Sequence, residues 1–118
     1  MSDELALAVR ISFTKGGASV TRAHNDSFDI TGDAYTSNVQ SVGTSEEELL
    51  QGAEVGTPGY VLAKNLDDTN YVEIGAATGE YCIKMKAGEF ALWRHNSATL
   101  YAKANTAACL VEYTIIED

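Results

Sequence analysis

Histidine, cysteine, proline and basic residues are all scarce in this chain. Nitrogen and sulfur ligands for a transition metal could come only from His24 and His95 and from Cys82 and Cys109. The histidines are far apart and form no His-x-His pair, so the converging cluster that such a metal needs is not written in the sequence. Neither cysteine has C-x-x-C spacing. In a reducing compartment both are expected to be free thiols, and a disulfide stays open only if their strands are neighbours. The one proline, Pro58, falls in Thr57-Pro58-Gly59, a turn signal. Eight basic residues face 17 acidic ones, for a formal net charge of −9. Such a surface repels phosphate backbones, which argues against nucleic acid as a partner. No basic amphipathic stretch points to a membrane surface, and no run approaches the roughly 20 apolar residues of a membrane span. The opening MSDELALAVRISF carries acids where a secretion signal carries bases, so synthesis and retention in a cytoplasm are expected.

Catalytic motifs are equally thin. No Ser sits in a G-x-S-x-G elbow, and no Gly-rich loop is spaced to cradle phosphate. Asp67-Asp68-Thr69-Asn70 offers oxygen ligands to a hard cation, but its spacing is not that of an EF-hand. A turn bonded to its own backbone explains it better. The expectation is a protein that is not an enzyme and has no catalytic residues, metal or cofactor.

What is present is a succession of short alternating segments separated by Gly, Asn, Asp, Thr and Ser. Leu5, Leu7, Val9, Ile11 and Phe13 alternate strictly with small or polar residues, which is one face of one strand. Lys15-Gly16-Gly17 supplies a turn. Ser19 to Arg22 reads as a weak second strand, His24-Asn25-Asp26 as a loop, and SFDIT as a further alternating piece. Tyr35 to Val42 is a polar strand with Tyr35 and Val39 on one face. Thr44-Ser45 followed by Glu46-Glu47-Glu48-Leu49-Leu50 looks like a capped helix start, so a short helical turn is expected near residues 45–51. From Gly59 onwards the pattern is continuous: GYVLAKN, YVEIG, EYCIKMKAG, EFALWRH, TLYAKAN and ACLVEYTIIED. In the last, Cys109, Val111, Tyr113 and Ile115 make the better core face. In EFALWRH, Phe90 and Leu92 are read as inward and Ala91 and Trp93 as outward, which makes Trp93, beside Arg94, a contact-surface candidate. The sum is an all-β chain of about eight to nine antiparallel strands. It is expected to form a single β-sandwich or jelly-roll domain over residues 1–118, with 1–14 as an N-terminal arm able to exchange a strand with a neighbour.

The segments Gly59-Tyr60-Val61-Leu62-Ala63-Lys64-Asn65-Leu66-Asp67, Tyr71-Val72-Glu73-Ile74-Gly75, Lys86-Ala87-Gly88-Glu89-Phe90-Ala91-Leu92 and Leu100-Tyr101-Ala102-Lys103-Ala104 resemble a pattern common in small virion proteins of tailed bacteriophages. Among these the chain is most similar to jelly-roll head decoration, or cement, proteins. The resemblance covers the C-terminal half. It implies a structural protein on the outer capsid surface, a homotrimer whose partner is the major capsid protein, made in the host cytoplasm and carried on the virion. The same pattern resembles modules near tail genes, which leaves a tail or fibre module recognising a host glycan or receptor as the alternative. Candidate interface residues are Leu5, Leu7, Val9, Ile11, Tyr35, Trp93 and Arg94.

Overall fold

The computed structural model describes residues 4–118, and among these there is no helix. The chain clusters into two compact units, Met1–Thr31 and Gly32–Asp118. In the first, β1 (Leu5–Lys15) pairs antiparallel with β2 (Ala18–Phe28) along its whole length, from Leu5 opposite Phe28 to Lys15 opposite Ala18. The two-residue turn works because Gly16 and Gly17 hold φ of 56° and 88°, the left-handed values that a tight hairpin with the right strand twist demands. Two expectations change here. His24-Asn25-Asp26 is strand, not loop, because a full ladder to β1 outweighs the local turn preference of Asn and Asp. The arm read at 1–14 is one half of this hairpin, so one edge of β1 is already paired within the chain. The arm's first three residues lie outside the described ones.

The second unit holds eight strands: β3 (Tyr35–Val42), β4 (Glu47–Glu48), β5 (Pro58–Asn65), β6 (Val72–Gly75), β7 (Ile83–Met85), β8 (Phe90–Arg94), β9 (Tyr101–Ala104) and β10 (Cys109–Glu117). They form two four-stranded antiparallel sheets in the orders β3-β10-β5-β8 and β4-β9-β6-β7. The pairs are nested. The first strand of the unit lies beside the last, the second beside the second-last, and so on to the β6–β7 apex. A long hairpin rolled over on itself in this way is a jelly roll.

The sheets meet over one core. Val61 and Ala63 from β5 and Val111, Tyr113 and Ile115 from β10 lie in the same cluster as Val72 and Ile74 from β6, Met85 from β7 and Ala102 and Ala104 from β9. The period-two burial of β10 places Cys109, Val111, Tyr113 and Ile115 inside, as its alternation predicts. Cys82 is exposed and Cys109 buried, both as free thiols.

The helical turn expected near 45–51 is instead β4 and an extended approach to the core. Glu47 and Glu48 pair with Ala102 and Tyr101, and the Leu49 amide donates to Leu100 O at 2.9 Å. The acids bond to distant groups, not to a first helical turn. Glu47 accepts from the Gly43 amide and the Gln40 side chain, and Glu46 from the Gly79 amide. A short helix has little stability of its own, and burying Leu49, which is 1% exposed, requires extended chain.

Candidate functional site

The candidate sites of this chain are surfaces. The hairpin has two unlike faces. Pairing puts Leu5, Leu7, Val9, Ile11 and Phe13 on the same face as Phe28, Asp26, His24, Arg22 and Val20. The opposite face is small and polar, with Ser12 beside Thr21 and Thr14 beside Ser19, each pair 3.4 Å apart between hydroxyl oxygens. On the apolar face Ile11 is 62% exposed, Phe13 50% and Val9 46%, while Leu5 and Leu7 are half-buried. Four of the expected interface residues are therefore brought together here. Their companions on β2, Val20 and Phe28 with Arg22, His24 and Asp26, are not legible in the sequence, since charged and polar positions hide that strand's period.

A second apolar surface is the outer face of the β3-β10-β5-β8 sheet. One row across it runs Val39, Glu112, Lys64, Phe90, and the next Ser37, Thr114, Leu62, Leu92. Phe90, Leu62 and Val39 are exposed, and Lys64 and Glu112 stand directly opposite each other among them. Tyr35 and Arg94 occupy the two edge strands of this sheet, so the structure does not bring them together. Tyr35 is exposed; Arg94 pairs with Asp118 and lies over the Tyr60 ring at 5.4 Å.

Trp93 is not the outward platform expected of it. Val61 lies opposite Trp93 and Ala63 opposite Ala91, and residues opposite one another in an antiparallel pair share a face. Since Val61 and Ala63 line the core, Ala91 and Trp93 turn inward and pack against it, while Phe90 turns out. The Trp93 indole donates to His95 Nδ1 at 3.0 Å, and His95 Nε2 lies 2.6 Å from Thr99 O. With Nδ1 accepting from the indole, the ring donates to Thr99 O through Nε2. Trp93 and His95 thus brace the end of β8 against the loop before β9.

The outer face of the other sheet is polar and bonded within itself. Glu73 stands opposite both Lys84 and Lys103, with Lys84 Nζ 4.2 Å from the centre of the Tyr71 ring and Lys103 Nζ 5.5 Å from that of Tyr81. Tyr81 donates to Glu46. Burial and that carboxylate push the Tyr81 phenol up to about 12, and the bond from Tyr81, with that from the Gly79 amide, holds Glu46 below its ordinary value.

The Asp67 loop is bonded to its own backbone: Asp67 Oδ2 accepts from the Asn70 amide at 2.6 Å and the Thr69 amide at 3.0 Å, which lowers the Asp67 pKa. Among the described residues no three His, Cys, Asp or Glu side chains converge as metal ligands. Glu117 is a further strongly engaged carboxylate. It accepts from the amides of Gly56 at 2.9 Å, Asp33 at 3.2 Å and Ala34 at 3.3 Å, tying β10 to two loops. Comparison with protein-family models, curated proteins and solved structures finds no match to this chain.

Proposed function

We propose that this chain is a structural protein of a tailed-bacteriophage particle, one that binds the outer capsid surface as an oligomer and stabilises the head. The observation that carries the reading is the contrast between the two units. The jelly roll closes over a core of its own, in which Leu49, Ile74, Met85, Leu100, Tyr113 and Ile115 are fully buried. The hairpin leaves Val9, Ile11 and Phe13 in solvent. A lone two-stranded hairpin is marginal in water, so a segment of this kind gains its order from a partner. The virion as setting, and the major capsid protein as partner, rest on the resemblance of the segments that become β5, β6, β8 and β9. The oligomer this reading implies is a homotrimer, suited to threefold positions on a shell. An acidic surface suits a protein held outside a particle packed with DNA.

The direct test is the protein content of purified virions. The proposal expects the chain there in a fixed ratio to the major capsid protein; absence from virions made by a host that expresses the chain overturns it.

A further inference from the structure

We propose that the apolar face of the β1–β2 hairpin is a two-fold interface with the same face of a second copy of this chain. The inference builds on the self-association just proposed, but its argument uses the hairpin alone. The rows on that face are Leu5/Phe28, Leu7/Asp26, Val9/His24, Ile11/Arg22 and Phe13/Val20. They are balanced about Val9/His24. Asp26 lies one row to one side and Arg22 one row to the other, with large apolar residues beyond both.

Two such faces can be stacked about a two-fold axis that crosses the strands at Val9/His24. Each row then covers its mirror row. Val9 meets Val9, Leu7 meets Ile11, Leu5 meets Phe13, and Asp26 of each copy meets Arg22 of the other. Facing sheets lie about 10 Å apart, a gap that an Arg and an Asp side chain span together. Within one hairpin the two charges are four residues apart on one strand, about 14 Å, so they do not neutralise each other. Arg22 Nη1 donates to Thr21 O at 2.8 Å and Asp26 Oδ1 accepts from the Ser27 amide at 2.9 Å. A guanidinium with five N–H donors and a carboxylate with two oxygens retain capacity beyond these single bonds.

The competing symmetry fails on the same residues. In a parallel three-fold bundle of hairpins, the copies of Arg22 would share one level and those of Asp26 another, and like charges would gather. The two-fold arrangement is self-complementary, as an isologous contact must be. In the trimer proposed above, it joins copies belonging to different trimers. The footprint is adequate. Two eleven-residue strands cover about 37 Å by about 10 Å, so the flat footprint is about 740 Å² over both copies before the relief of the side chains is counted, close to the roughly 1,000 Å² of a specific contact.

The experiment is charge exchange on the full chain in solution, read as mass by light scattering, without capsids. Arg22→Asp alone opposes two acids across the axis, and Asp26→Arg alone opposes two bases. Each is expected to raise the concentration for half-association on the order of tenfold. An equimolar mixture of the two variants restores both opposite pairs between unlike chains. The double variant R22D/D26R restores them between like chains. Both are expected to regain the wild-type mass. Singles that keep the wild-type mass, or a mixture and double variant that stay at the mass of the singles, overturn the proposal. Either result leaves capsid binding to its own test.

Discussion

Replacing Tyr113 by Phe and by Ala separates the two ways in which this residue holds the jelly roll. Its ring is 1% exposed on the central strand β10, between Asn38 of β3 and Ala63 of β5. Its hydroxyl donates to Leu50 O at 2.6 Å and lies 3.2 Å from Gln40 Oε1. Gln40 in turn donates to Glu47 Oε1 and Glu48 O, each at 2.9 Å, and accepts from the Leu50 amide at 3.0 Å. The hydroxyl is thus the point where one sheet grips the chain following β4. Tyr113→Phe keeps the ring and removes that bond, at a cost of about 1 kcal/mol. Tyr113→Ala empties a core position that little around it can refill, at a cost of about 3–5 kcal/mol. For a domain of this size 1 kcal/mol corresponds to about 4–8 °C in Tm, so the Phe variant should melt lower by that amount. The Ala variant should fall several times further or fail to fold. Thermal unfolding followed by near-ultraviolet circular dichroism reads both. A Phe variant that melts with the wild type, or as low as the Ala variant, refutes the division between bond and packing.

Three further outcomes follow from the charges and thiols. Glu117 is held below its ordinary value of 4.5, first by its bond from the Gly56 amide. A depressed carboxylate contributes stability that is present above its unfolded pKa and is lost as pH falls through the lower folded value. The urea midpoint should therefore drop on acidification through and below pH 4.5, and Glu117→Gln should be weaker at neutral pH with a flatter acid limb; a variant with the wild-type profile contradicts this. In an ultraviolet titration of the tyrosines, Tyr81 should stay protonated until about 12, and Glu46→Gln should bring it down towards the ordinary range. With a thiol reagent the native chain should show one fast cysteine, the exposed Cys82; Cys109, buried and with its thiol pushed up by that burial, should react only on unfolding.

Much of the body was legible because its strands are half-buried and alternate. β5 and β10 announce their faces residue by residue, and Gly16-Gly17 announces its turn. What failed was set by partners distant in sequence. Glu46 to Leu50 carries a good helix signature, yet its acids bond Gly43, Gln40 and Gly79 while Leu49 reaches the core. The face of β8 follows from its register with β5, and EFALWRH has apolar residues on both faces. Of the surfaces, Leu5, Leu7, Val9 and Ile11 were legible from strict alternation. Arg22 and Asp26 were not, because their meaning depends on the row each occupies opposite β1, and Phe90 and Leu62 emerge as surface only once the sandwich has an inside.

The central claim, attachment to a capsid exterior, is tested most directly by sedimenting isolated capsids that lack this chain after mixing them with the purified protein. The account predicts that the chain pellets with the capsids, saturates at a fixed ratio to capsid subunits, and raises the temperature at which the shells break. A chain that stays in the supernatant at every concentration, with shells no more stable than before, contradicts it.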